Sequence, residues 1–96
     1  MESDHRPSED LLVSNHTFPG VYQIKAIGSA DDDFAARVVE AAAQELASAG
    51  EIDHVVRSTP NGKHVSLTMD ITVQTPDQVR AIYARLREVK GITLLF

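Results

Sequence analysis

The chain has 96 residues and no cysteine, which suits one domain with a small core and excludes a disulfide framework or a thiolate metal site. Its formal net charge of −5 argues against a nucleic-acid partner, because nucleic-acid binders usually present a basic surface. No apolar stretch reaches the length of a signal peptide or a membrane span, so we predict a cytoplasmic protein without a membrane partner.

Residues 1–16 are predicted to form a flexible N-terminal tail, and residues 17–96 a single domain. Residues 1–10 are polar and cannot bury enough surface to become ordered. The apolar cluster Leu11-Leu12-Val13 follows, and it is the one part of the tail that we expect to pack loosely against the domain.

The first strand is predicted over residues 21–27, where Gln23 and Lys25 alternate with apolar residues. A helix is predicted over residues 34–49, with one of the three aspartates at 31–33 as its cap and Gly50 as the residue that ends it. Its apolar residues recur every four or three positions along one side, which is typical of a half-buried helix: Phe34, Val38, Ala42, Leu46 and Ala49.

A shorter strand over residues 52–58 leads through a turn at Thr59–Gly62 into the longest strand, predicted over residues 63–74. Every second position of that long strand is apolar and the positions between are polar, so one of its faces packs under helices while the other is hydrophilic. The apolar positions are Val65, Leu67, Met69, Ile71 and Val73.

The second helix is predicted to begin with Thr75 as cap, Pro76 at the first helical position and Gln78 completing a capping box. Its apolar stripe predicts one buried side: Val79, Ile82, Tyr83, Leu86 and Val89. Gly91 is expected to end this helix, and residues 92–96 are predicted to form the last strand.

The element order β-α-β-β-α-β predicts an α+β, ferredoxin-like two-layer sandwich. Right-handed crossovers place both helices on one face of a four-stranded antiparallel sheet with spatial order 4-1-3-2. The third strand is then central and the last strand lies at an edge.

The last strand predicts self-association. Strict alternation directs Ile92, Leu94 and Phe96 toward the helices and leaves Leu95 on the polar face, and the strand has no charged side chain to protect its edge. We therefore predict a symmetric homodimer that covers Leu95 and part of the polar face of the sheet. The alternative is that Leu11-Leu12-Val13 covers this edge within one chain.

Three stretches resemble the YbeD family over roughly residues 17–96: F-P-G-V-Y-Q-I-K-A-I-G (Phe18–Gly28), S-T-P-N-G-K-H-V-S-L-T (Ser58–Thr68) and the closing G-I-T-L-L-F. That family consists of small, uncharacterised bacterial proteins. The resemblance implies a ferredoxin-like fold related to ACT regulatory domains, and members are sometimes labelled lipoate-linked regulatory proteins. His64 stands where the family often has tyrosine, and the turn before Gly62 is one residue longer.

The residues themselves show no catalytic or metal-binding constellation, so we predict no enzyme, no metal and no cofactor. The aspartates at 31–33 lack the spacing of a calcium loop, and His54 and His64 fall out of register on their hairpin. An RNA-recognition domain of this topology needs aromatic residues on the sheet, and an acyl-phosphate hydrolase needs a basic loop after the first strand. Neither pattern is present.

Two functions from different classes remain. The first is a regulatory module that binds a small molecule, as ACT-like domains do, either at a subunit interface or in the loop after the first strand, where Lys25, Gly28 and Ser29 are the candidate ligand-binding residues. The second is a protein-protein interaction adaptor without a ligand. A further set of candidate site residues is the exposed sheet face: Gln23, Ser66, Thr68 and Asp70.

Overall fold

The computed structural model describes residues 17–96, apart from the side chain of Ala49. The predicted tail, residues 1–16, therefore lies outside the described residues. The elements in chain order are β1 (Gly20–Ser29), α1 (Phe34–Ala43), a short 3-10 turn (Ala49–Glu51), β2 (Ile52–Ser58), β3 (His64–Val73), α2 (Pro76–Leu86) and β4 (Ile92–Leu95).

The four strands form one antiparallel sheet in the order β2-β3-β1-β4, which confirms the predicted ferredoxin-like α+β fold. β1 and β3 lie in the middle and pair over ten residues, from Gly20 opposite Val73 to Ser29 opposite His64. Both helices pack on one face of this sheet, so the side chains of β1 and β3 point alternately into the core and away from it.

The core lies between the sheet and the helices. The rings of Tyr22 and Tyr83 meet edge to face, with centroids 6.2 Å apart, and tie β1 to α2. The buried residues of β1 and β3 are the ones expected to face the helices, which confirms the predicted alternation. The buried side chains are Tyr22, Ile24, Ala26, Phe34, Val38, Ala42, Ile52, Leu67, Met69, Ile71, Val73, Val79, Ile82, Tyr83 and Leu86.

The start of α2 follows its prediction closely. The Thr75 hydroxyl accepts a hydrogen bond from the Gln78 backbone N–H at 3.1 Å, and Pro76 occupies the first helical position. The Gln78 side-chain oxygen reaches back to the N–H of Gln74 at 2.7 Å, one residue before the cap. One otherwise unpaired N–H of the helix, that of Gln78, and the N–H of Gln74 just before the cap are satisfied in this way.

The start of α1 differs from its prediction. Asp33 occupies the cap position, but it adopts a left-handed conformation (φ 54°) and its side chain makes no capping hydrogen bond. Asp32 is also left-handed (φ 56°), and aspartate tolerates this region better than most residues do. The aspartates therefore make a tight turn between β1 and α1 in place of a side-chain cap.

α1 also ends earlier than predicted. The helix stops at Ala43, and Gly50 lies in the 3-10 turn instead of ending the helix. The carbonyl of Glu45 accepts a bond from the Gln78 side chain at 3.1 Å, and its carboxylate accepts one from Arg85 Nε at 2.6 Å. These contacts with α2 hold the chain in a tighter turn and override the helix-forming composition of residues 44–49.

β4 contains an irregularity that reverses its predicted faces. Ile92 pairs with Gly28 while Leu94 pairs with Ile27, so Thr93 is an extra residue, and its hydroxyl donates to the Ile27 carbonyl at 3.0 Å. Such a bulge shifts the alternation by one position. The prediction for Leu95 was therefore wrong: Leu95 packs against the core, and Leu94 lies away from it with 52% of its surface exposed.

Candidate ligand-binding site

A depression of about 370 Å³ lies at the end of the sheet where β1 leads into α1 and where β4 begins. This volume falls within the range of small-molecule sites, roughly 300–1,000 Å³. The depression is open to solvent on one side. Its walls come from three short segments of chain: Ser29, Asp31, Asp32, Arg37, Lys90 and Gly91.

Arg37 fixes the geometry of this depression. Its Nε donates to the backbone carbonyl of Asp32 at 2.7 Å, and its Nη1 donates to the carbonyl of Lys90 at 2.9 Å. The guanidinium carbon also lies 5.9 Å from the ring centroid of Phe34, within the range of a cation–π interaction. Arg37 thus joins the turn before α1 to the segment before β4 and holds the two walls together.

The wall formed by the turn after β1 is held by short polar contacts. The Ser29 hydroxyl donates to the Asp31 carboxylate at 2.8 Å. The backbone N–H of Ala30 donates to the carbonyl of Lys63 at 3.0 Å, which attaches the turn to the β2–β3 hairpin. The turn is therefore anchored at both of its sides before the chain enters α1.

The formal charges of the lining side chains balance. The carboxylates of Asp31 and Asp32 oppose the cations of Arg37 and Lys90. Within residues 17–96, neither the Lys90 ammonium nor the Asp32 carboxylate forms a salt bridge. Two opposite charges therefore stand at the same depression, each able to pair with a bound molecule.

The three predicted ligand-binding residues do not lie together. Ser29 lines the depression, but Lys25 lies on the face of the sheet that points away from the helices. Gly28 is buried, and a Cβ built on it would come within 2.5 Å of the Phe34 ring. The lack of a side chain at Gly28 therefore lets the helix approach the sheet, and does not open a path for a ligand.

Sequence reasoning missed Arg37 and Lys90. Arg37 lay on the polar side of a predicted helix, and Lys90 came just before the predicted last strand, so both read as ordinary surface charges. The topology offered a signal, because an antiparallel β1–β4 pair brings the end of β1 beside the start of β4. Residues 29–31 and 90–91 had to be neighbours once the strand order was predicted.

The sheet face opposite the helices, which we call the open face, carries the predicted polar side chains. Gln23, Ser66, Thr68 and Asp70 all lie on it. The Asp70 carboxylate accepts a hydrogen bond from Gln23 Nε2 at 3.0 Å. The register puts Gln23 directly opposite Asp70, whereas Lys25 lies opposite Thr68.

The hairpin histidines are separated as their register required, because His54 pairs with Met69 while His64 pairs with Ser29. Over residues 17–96, no three histidine, aspartate or glutamate side chains come together as a metal site would require. In the same part of the chain, no helix has the length and apolar character to span a membrane.

A four-stranded antiparallel sheet with two helices on one face and a charge-balanced depression at one end defines a small ferredoxin-like α+β domain. The chain belongs to the family described as protein of unknown function (DUF493), which matches residues 14–96. The resemblance to the YbeD family is confirmed, because that family is the UPF0250 group to which the matching relatives belong.

The relatives that match this chain include proteins from several species of the bacterial genus Shewanella. The UPF0250 protein of Shewanella frigidimarina is 37% identical over 75 residues, covering 78% of this chain and 83% of the relative. That of Shewanella halifaxensis is 33% identical over the same shares. The solution structure of protein HP0495 from H. pylori is similar in fold, with a TM-score of 0.63 and 13% identity, covering 100% of this chain and 94% of that one.

Proposed function

We propose that this protein is a non-enzymatic regulatory module that binds a small zwitterionic molecule, such as a free amino acid, in the depression beside Arg37. The observation that carries the proposal is the presence of the Lys90 ammonium and the Asp32 carboxylate at one concave site. A ligand with both a carboxylate and an ammonium satisfies the two charges at once.

The charge balance also ranks the ligand classes. A polyanion such as a nucleotide would bring several negative charges to a site that already holds Asp31 and Asp32. A simple carboxylate such as lipoate would pair with Lys90 and leave Asp32 without a partner. An amino acid satisfies both groups, and the rigid support of Arg37 keeps the cost of ordering the site low.

The test is a thermal-shift screen of the full chain against the amino acids and lipoate. A ligand present at about ten times its dissociation constant stabilises the folded state by about 1.4 kcal/mol, which raises the melting temperature by about 6–11 °C for a domain of this size. Lys90→Ala and Asp32→Asn should each remove that shift. Lys63→Ala is the matched control, because Lys63 is exposed and its hydrogen bond to the turn uses the backbone carbonyl, which the substitution keeps.

A shift with lipoate but with no amino acid would contradict the zwitterion assignment. A shift that survives both Lys90→Ala and Asp32→Asn would place the ligand elsewhere on the protein. No shift with any ligand would overturn the regulatory-module proposal and favour the second function.

The second candidate function is a protein-protein interaction adaptor, and the outer edge of β2 favours it. Within the described chain no strand pairs with this edge, and every residue of β2 after Ile52 is exposed. Val55 and Val56 are 58% and 44% exposed. Such an edge can receive an extended peptide as an added strand. A partner captured by wild type and lost by a Val55→Lys, Val56→Lys variant supports this function; equal capture by both contradicts it.

A further inference from the structure

The open face is organised in five rows, each a line of paired side chains that crosses the sheet, and Ser29–His64 is the fifth. Strand register defines the rows for β1, β2 and β3, and two backbone hydrogen bonds between Lys25 and Phe96, at 2.6 and 2.9 Å, extend the pairing beyond β4. Row 1 is Val21–Thr72, row 2 is Gln23–Asp70–Asp53, row 3 is Phe96–Lys25–Thr68–Val55, and row 4 is Leu94–Ile27–Ser66–Arg57.

Charge is segregated between these rows. Asp70 and Asp53 lie directly opposite each other in row 2, and like charges in that position disfavour the sheet. The cations Lys25 and Arg57 lie in rows 3 and 4, and neither forms a salt bridge with any of residues 17–96. Row 2 is therefore acidic and rows 3 and 4 are basic, and no salt bridge among residues 17–96 joins the two sets.

Apolar side chains lie in row 1 and in rows 3 and 4 of the same face. Val21 in row 1 is 61% exposed, and Leu94 in row 4 is 52% exposed beside the half-buried Ile27. Phe96 in row 3 is 53% exposed and continues the patch formed by Leu94 and Ile27. Exposed apolar side chains that adjoin one another on one face of a small domain are typical of an interaction surface.

We propose that the open face binds a second copy of this chain, with the two sheets packed face to face around a two-fold axis. The axis lies between the sheets, perpendicular to the strands, and passes between rows 2 and 3. It places row 2 of each copy over row 3 of the other, and row 1 over row 4.

This arrangement pairs the segregated charges. Packed sheets lie about 10 Å apart, which long side chains from both copies can span. Asp70 of one copy comes within reach of Lys25 of the other, and Asp53 within reach of Arg57. Val21 lies over Ile27 of the other copy. An axis parallel to the strands would instead place each acidic row over an acidic row, so charge complementarity selects the perpendicular axis.

The size of the face sets the strength of the association. Four strands at about 4.8 Å spacing and about seven residues at about 3.3 Å give on the order of 450 Å² per copy. That is below the usual area of about 800 Å² per partner for a stable complex. The homodimer is therefore weak, and it must be measured from about ten to several hundred micromolar.

The test is sedimentation or light scattering of the full chain and of two charge-reversal variants. Lys25→Asp with Arg57→Asp makes the face uniformly acidic, and Asp53→Lys with Asp70→Lys makes it uniformly basic. Each variant alone should dimerise at least roughly tenfold more weakly than wild type, and their equimolar mixture should restore dimerisation as a heterodimer. All four side chains are exposed or half-exposed, so the variants should fold.

Glu40→Lys with Glu88→Lys is the control, because both residues are exposed on the helix side and the change in net charge equals that of the basic variant. It should dimerise like wild type. A wild-type mass of one chain across the whole concentration range overturns the proposal. The proposal is also overturned if both charge-reversal variants dimerise as strongly as wild type, or if their mixture forms no heterodimer.

Cross-linking tests how the two sheets are oriented in the dimer. Because the chain has no cysteine of its own, only the introduced thiols can react. A mixture of Val21→Cys and Ile27→Cys chains should give a heterodimer with a short bismaleimide. Val56→Cys is the control, since Val56 is exposed but lies on the helix side of β2, opposite Leu67. Cross-linking of Val56→Cys to itself with none between Val21→Cys and Ile27→Cys would show edge-to-edge pairing and overturn the face-to-face arrangement.

Discussion

Gly28 lies directly beneath the ring of Phe34, so close that a Cβ at Gly28 would stand 2.5 Å from Phe34 Cζ. The carbonyl oxygen of Gly91 closes the same space from the other side. Phe34 is 2% exposed and begins α1, and Gly28 is one of the last residues of β1. The absence of a side chain at this position therefore sets how closely the first helix approaches the sheet.

Gly28→Ala should reduce the free energy of unfolding by about 1–3 kcal/mol, the usual cost of forcing an extra methyl group into a packed core. Gly50→Ala is the control, because the nearest atom to its added Cβ is Ser48 Oγ at 3.4 Å. Urea denaturation measures both. If the two variants unfold at the same urea concentration, the packing of Gly28 against Phe34 is not as tight as described.

The bulge at Thr93 makes a prediction for the two leucines of β4. Leu95 packs against the core and Leu94 is half exposed, so Leu95→Ala should cost about 2–3 kcal/mol and Leu94→Ala less than about 1 kcal/mol in the free energy of unfolding. The comparison should be made at a few micromolar, where a weak dimer contributes little. A larger loss for Leu94→Ala would mean that β4 alternates without a bulge.

The two helix starts differ in how they are capped, and substitution should separate them. Thr75→Ala removes the hydroxyl that accepts the Gln78 N–H at 3.1 Å, and it should lower the free energy of unfolding by about 1 kcal/mol. Asp33→Asn keeps the tolerance for a left-handed backbone and removes no capping bond, so its effect should stay below about 0.5 kcal/mol. Comparable losses in thermal melts would show that the Asp33 carboxylate stabilises α1 after all.

Arg37 and Arg57 offer a matched pair on the two sides of the molecule. Arg37→Lys loses the fork that bonds the carbonyls of Asp32 and Lys90, and it should cost about 1–3 kcal/mol of unfolding free energy. Arg57→Lys, on the exposed surface of β2, should change stability by less than about 0.5 kcal/mol. Chemical denaturation in low and high salt tests this explanation. Because Arg37 bonds neutral carbonyls, the loss of unfolding free energy in Arg37→Lys should be nearly the same at both salt concentrations.

The strands and their order followed from the sequence because the alternation in β1 and β3 is long and uninterrupted. Ile24 and Leu67 are buried where the period of two placed them. The same rule failed for Leu95, since one extra residue reverses every later side chain and nothing in the letters I-T-L-L marks Thr93 as that residue. Residues 44–49 have a helix-forming composition, yet the helix stops at Ala43, where Glu45 contacts α2.

The candidate site was predictable in position but not in its residues. The loop after the first strand was expected to hold a ligand, and Ser29 does line a depression there. Lys25 was expected to line the same site, yet its neighbours across the sheet are Thr68 and Phe96, far from the loop. Arg37 and Lys90 come from segments 53 residues apart, and no local pattern connects them.

The order of the strands in the sheet also bears on how fast the protein folds. β1 has no sheet neighbour that is near it in sequence: Ser29 pairs with His64, and Gly28 with Ile92. β2 and β3 need only the short Thr59–Gly62 turn, in which Gly62 has a positive φ of 72°. Closing a long loop costs conformational entropy before the contacts between its ends can compensate. The β2–β3 hairpin should therefore form early, and β1 should insert between β3 and β4 late. In stopped-flow experiments Gly62→Ala should then slow folding, whereas Leu95→Ala should mainly speed unfolding. The slowest step of folding is therefore the insertion of the first strand between strands that come later in the chain.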